Sequence, residues 1–157
     1  MHYDDNLSVV YYELPPHFQS GVFNHVANCV TMTLKGFESN QFYLDTEDGK
    51  LKESDEGHLE HTARHDVPVG EALEFPKNVI RSVENKSDDT TKVIVCHMGN
   101  IVDQSASRYV YDWRTHTKIP YSWQAVVEHG IERMKEKHNE AGLAAFRQSS
   151  LAAQQAH

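Results

Sequence analysis

The sequence predicts an all-β fold closed by one C-terminal α-helix, on three observations. Short segments rich in β-branched and aromatic residues recur until about residue 113, turn signals separate them, and after Pro120 the hydrophobic period changes. Many short strands at near-regular spacing belong to a β-sandwich or barrel. The length, 157 residues, is that of one domain able to enclose its own core. The expected layout is a single domain over 1–157, with a barrel at about 7–115, a helix at about 122–140 and a frayed tail to 157.

The expected strands are, in order, VVYYEL (Val9 to Leu14), CVTMTLK (Cys29 to Lys35), QFYL (Gln41 to Leu44), ALEF (Ala72 to Phe75), VIRSVE (Val79 to Glu84), KVIVCHM (Lys92 to Met98) and RYVYDW (Arg108 to Trp113). Asp48-Gly49, Val69-Gly70, the NKSDDT run from Asn85 to Thr90 and Gly99-Asn100 supply turns between them. In SWQAVVEHGIERMKEKH, Val127, Ile131 and Met134 share one helical face opposite Glu128, Glu132, Lys135 and Glu136, with Ser122 as N-cap and an end near Asn139 to Gly142.

Composition narrows the partners. Fifteen basic residues against 23 acidic give a net charge of −8, and the Lys and Arg are scattered, which argues against nucleic acid. No apolar run approaches the ~18 residues of a membrane span, and MHYDDNLSVVYY lacks the basic and apolar parts of a signal peptide. No membrane partner is therefore expected, and the expected location is cytoplasmic. Cys29 and Cys96 are too few for a disulfide framework and read as reduced thiols. The acidic run Asp45 to Gly57 reads as a solvated loop.

Alternation within the strands says what each face meets. In CVTMTLK, Cys29, Thr31 and Thr33 share one face and Val30, Met32 and Leu34 the other. Neither carries the charges of a water-facing surface. The Thr face is expected to line a cavity, and the apolar face to meet a second sheet or a second copy of the chain, making a homodimer. The same alternation sets Arg81 between Val79 and Val83, on an interior side.

VGEALEFPKNVIRSVEN resembles the second conserved motif of the cupin superfamily: a Gly and acidic residue, a short strand, then Pro-x-Gly-x-x-His-x-x-x-Asn. Gly70, Glu71, Pro76 and Asn85 match, while Asn78 stands for the Gly and Arg81 for the His. If Leu34 to Gly36 marks the end of the first motif, then Phe23, His25 and Cys29 fall where that family has His, His and Glu. YVYDWRTHTKIPYSW is similar to the end of the plant auxin-binding proteins, themselves cupins, through Tyr111, Trp113, His116, Thr117, Pro120, Tyr121 and Trp123. The resemblance implies a cupin-type jelly-roll barrel holding a small-molecule ligand, over roughly residues 20 to 125.

A guanidinium is always protonated and offers no lone pair, so Arg81 is no metal ligand. With Phe23 and Cys29 at two other ligand positions, the resemblance implies a cupin without its usual metal, and no cofactor is expected. HLEHTARH offers a competing donor set, His58, His61 and His65, whose bland reading is a polar surface loop. Should a metal be retained, those three with His97 and Cys29 are the donors to consider.

Arg81 has two readings: a buried Arg paired with an internal carboxylate, or the receiver of a ligand carboxylate or enolate oxygen by paired hydrogen bonds. The second is what the resemblance implies, since in auxin-binding proteins the metal receives the ligand's carboxylate. His25 is the inward group able to exchange a proton near neutral pH, or else a hydrogen-bonded core residue. Trp123 matches the tail Trp that packs on the auxin ring in the resembled family, and Tyr111 shares a strand face with Trp113; ordinary core packing is the other reading of each. Cys29 is a nucleophile only if Arg81 or His25 stabilises its thiolate, and otherwise a small buried thiol.

Two function classes follow. The first is a metal-independent isomerase, cyclase or lyase acting on a small unsaturated or aromatic oxygen-bearing metabolite: His25 moves a proton, Arg81 holds the anion and Trp123 orients the ring, with Cys29, Thr31, Thr33 and Tyr111 as further ligand contacts. The second is a non-catalytic binding protein or sensor for a small carboxylate. A metal-dependent cupin using the displaced His cluster is the remaining alternative.

Overall fold

The computed structural model of the chain describes residues 1–45, 59–112 and 117–149. In order they form β1 (His2–Tyr3), β2 (Leu7–Leu14), β3 (Val22–Asn24), β4 (Cys29–Lys35), β5 (Phe37–Asp45), β6 (Leu59–Pro68), β7 (Ala72–Phe75), β8 (Ile80–Glu84), β9 (Thr91–Met98), β10 (Tyr109–Asp112), β11 (Thr117–Pro120), α1 (Trp123–Glu136) and α2 (Glu140–Arg147). Most of the expected acidic loop, His58, Trp113, His116 and the tail from residue 150 lie outside the described residues.

Strands β2 to β9 nest antiparallel into two sheets. One has the order β2-β9-β4-β7 and the other β3-β8-β5-β6; β1 extends the first, and β10 and β11 extend the second. That order fits a jelly roll, in which each half of the chain folds back along the other. The pairing is that of two sheets, not of one closed barrel. Interior side chains join them: Thr31 on β4 donates to Glu38 on β5 at 3.0 Å, and the Tyr12 hydroxyl of β2 donates to the same carboxylate.

The motif around Arg81 sets the path of the chain. Asn78, in the Gly position, has a φ of 70°, a left-handed conformation that Asn tolerates better than other non-Gly residues. Asn85 closes the following turn, its amide donating to the carbonyls of Leu14, Pro15 and Asp89 and its oxygen accepting from Ser87. The Ser122 hydroxyl caps α1, accepting from the Ala125 N–H at 3.0 Å. Val127 and Met134 are buried as expected, and with Leu14, Phe18 and Val83 they form one hydrophobic cluster.

Three expectations need correction. Cys29, Thr31 and Thr33 are the buried residues of β4, and Met32 and Leu34 are each 44% exposed on its outer side, so the second sheet lies against the Thr face. Hydroxyls satisfied by Glu38 and by the Val67 carbonyl let a polar face pack inward. The described part of HLEHTARH, from Leu59, is no loop: residues 59 to 68 form the edge strand β6, whose side chains are mostly exposed and therefore polar. Its period is hidden by a bulge, because Phe42 pairs with Ala63 and Tyr43 with His61, leaving Thr62 extra. A second helix, α2, follows where an end was expected; Asn139 caps it at the Gly142 N–H, and Phe146 stacks on Phe18.

Candidate functional site

A cavity of about 710 Å³ lies between β2 and β9 of one sheet and β3 and β8 of the other, bounded also by residues 101–108, Tyr121 and Trp123. Its walls are largely apolar, with Val10, Val83, Val95, Phe23, Ile101 and Trp123 among them. The polar groups that reach it include His25, Arg81, His97 and Arg108. A mostly apolar cleft with a few convergent polar groups is the form a small-molecule site takes.

Arg81 projects inward from β8 opposite Phe23 and Phe42 of the flanking strands and is only 1% exposed. One guanidinium nitrogen donates to Asn40 and lies 3.4 Å from Glu38, while Nε donates to His25 Nε2 at 2.9 Å. Its carbon lies 4.8 Å from the centroid of Phe75 and 5.5 Å from that of Phe23. The Glu38 carboxylate accepts in addition from Tyr12, Thr31 and Asn40. This is a buried pair with its lone pairs satisfied, the arrangement that a charge inside a protein requires.

The Nε contact also fixes a proton. An Arg Nε–H can only donate, so His25 Nε2 is an acceptor and the neutral ring carries its hydrogen on Nδ1, which points at Cys29 Sγ 3.5 Å away. Both nitrogens of His25 are thus engaged. Burial first, then the charge of Arg81, holds its pKa well below the ordinary imidazole value.

His97 stacks on His25 with ring centroids 5.3 Å apart, and among the described residues neither of its nitrogens has a hydrogen-bond partner. Burial lowers its pKa to about 4, helped by Arg108 and Arg81. Cys29 is buried behind His25, and burial pushes its thiol up to about 12, the inert end of thiol chemistry. His25, Cys29 and His97 bring three donor atoms within 4.8 Å of one another, all three residues buried. Of the displaced cluster, the bulge at Thr62 turns His61 and His65 to opposite faces, and His61 binds Gln41 at 2.8 Å.

The expected ligand residues separate. His25, Arg81 and Trp123 line the cavity, and Trp123 packs on Tyr12 with centroids 5.7 Å apart. Thr31, Thr33 and Cys29 do not line it, since their side chains are engaged behind it, and Tyr111 packs with Val22, Tyr43 and Leu59 elsewhere. His97, Arg108, Glu38 and Tyr12 are the additions. Alternation exposes three of them in hindsight: His97 follows Val93 and Val95, Tyr12 lies between Val10 and Leu14, and Glu38 precedes Asn40 and Phe42 on one face.

No family model and no curated sequence matches the chain. Solved structures similar to it include an RmlC-like cupin family protein with a double-stranded beta-helix fold from Methanocaldococcus jannaschii, at TM-score 0.49 and 14% identity over 66% of this chain and 79% of that one. A cupin domain from Bordetella pertussis Tohama I gives 0.44 and 16% over 62% and 85%. An oxalate oxidase in complex with the substrate analogue glycolate gives 0.47 and 16% over 60% of this chain and 42% of that one, so the chain spans less than half of that protein. Two of these three structures carry the cupin name in their own descriptions.

Proposed function

We propose that the chain is a cupin-type jelly-roll enzyme that moves a proton on a small, ring-bearing, oxygen-containing metabolite, without a metal. One observation carries the reading: His97, 5% exposed at the cavity wall, has no hydrogen-bond partner on either ring nitrogen among the described residues, and burial with Arg108 and Arg81 lowers its pKa. A neutral imidazole so placed accepts a proton from an acidic C–H or O–H of the substrate and returns it at another position. No electrons leave the substrate, so isomerisation, cyclisation, dehydration and decarboxylation are the reactions it serves. His97 takes the role expected of His25 because both nitrogens of His25 are occupied. Arg81 is a positioning residue here, holding the His25 ring, with Glu38 as its counter-ion.

The donor set of His25, Cys29 and His97 does not suit a cation as it stands. Metal bound at His25 Nδ1 would move the ring proton to Nε2, where it would face the Arg81 Nε–H, donor against donor. About one transition metal per chain, retained after dialysis and measured by elemental analysis, would replace this reading by a metal-dependent one.

The catalytic claim is tested with an enolisable probe, an aryl 1,3-diketone, incubated with the protein in D2O. NMR should show exchange of its central C–H faster than in buffer, and His97→Gln should lower that rate roughly 10²- to 10⁴-fold. Trp123→Ala should weaken probe binding roughly tenfold, as loss of a stacking ring would. Binding without accelerated exchange would leave the chain a small-molecule binding protein.

A further inference from the structure

We propose that Arg108 is the anion receiver of the cavity, and that the ligand is a monoanion, a planar carboxylate or enolate carried on an apolar ring. The inference deepens the function proposed above and rests on its reading of the cavity as the ligand site. Arg108 follows a short 3-10 turn, Ser105–Ser107, and its side chain is 6% exposed. The guanidinium carbon lies 3.5 Å from the centroid of Tyr121, so the two planes stack and the edges of the fork are left for acceptors. Among the described residues that fork has no hydrogen bond and no ion pair.

Charge counting around the chamber leads to the same residue. Of the described side chains that line it, Arg81 is balanced by Glu38, and Glu13 by Lys92 at 3.4 Å. The cavity histidines are held neutral by burial and by the two arginines. Among those side chains one positive charge remains, that of Arg108. A guanidinium held among apolar walls without a carboxylate is costly until an anion enters, and one negative charge completes the balance. The planar fork favours two oxygens side by side.

The test compares two probes of one shape, 2-naphthoate and its neutral amide 2-naphthamide, by titration calorimetry on the full chain at pH 7. Wild type should prefer the acid roughly 10- to 100-fold, the range of charge-assisted hydrogen bonds. Arg108→Gln should bind both alike, and Arg108→Lys, which keeps the charge and loses the fork, should fall between. Equal binding of acid and amide to wild type, or a preference that survives in Arg108→Gln, overturns the proposal while leaving the cavity reading in place. If neither probe binds at millimolar concentration, both fall. A charge preference without catalysed exchange of the diketone supports Arg108 and sinks the catalytic reading alone. Should Arg108→Gln fail to fold, the wild-type ratio and Arg108→Lys decide: a Lys variant keeping the full preference counts against the fork.

Discussion

Arg81 and Arg108 line the same chamber and are buried to nearly the same degree, yet their surroundings differ in kind. Arg81 lies in a network in which Glu38, Asn40 and His25 meet its donors and two aromatic rings flank its plane. Arg108 has a single ring beneath it and no acceptor among the described residues. The first guanidinium has its charge balanced within the chain, and removing it strands a carboxylate. The second is incomplete, and removing it strands nothing. Burial of a charge therefore says little about its role until its partners are counted.

The sharpest way to break this contrast is Arg81→Met. The substitution leaves Glu38 buried without its counter-ion, and breaking such a pair costs about 3–5 kcal/mol. Urea denaturation should register that loss, and the double variant Arg81→Met with Glu38→Gln should recover most of it, because the stranded charge has gone. A single Arg81→Met that folds as well as wild type would make the Glu38 pair incidental and return Arg81 to the role of an anion receiver.

A smaller effect comes from the imidazole between the two arginines. With His97 at about 4 against an ordinary 6.5, the unfolded chain takes up a proton at a higher pH than the folded one does. The contribution to stability is full above about 6.5 and is lost as pH falls towards 4, about 3 kcal/mol at most, with His25 adding in the same direction. Unfolding midpoints in urea at pH 7, 5.5 and 4 should fall steadily, and His97→Gln should flatten the slope. An unchanged slope in that variant would mean that the arginines and burial do not hold His97 neutral.

The sequence made the fold more legible than the site, for a physical reason. Asn78 takes a left-handed backbone conformation and the Asn85 amide closes the next turn, so each acts locally and spacing alone locates them, and β4 and β7 start and end where alternation places them. β6 was hidden because its single bulge breaks the alternation that identifies a strand. Arg81 was legible as an interior charge, but its partner was not: Glu38 lies 43 residues away in a segment whose register only the folded sheet defines. Arg108 left no trace at all, since a vacant guanidinium is recognised by what fails to surround it, and sequence records no surroundings.

The smallest expected effect sharpens the contrast most. Arg108→Gln removes a stacked cation from Tyr121, a contact worth about 0.5–2 kcal/mol, and at the same time removes a buried charge that has no partner among the described residues, which is a gain of similar size. The two contributions oppose, so the stability of Arg108→Gln should stay within about 1 kcal/mol of wild type, set against the several lost by Arg81→Met. Urea denaturation of the two variants side by side measures the difference directly. If Arg108→Gln were as damaging as Arg81→Met, Arg108 would have to hold a partner inside the chain. A guanidinium spoken for in that way would have no edge left to offer a ligand.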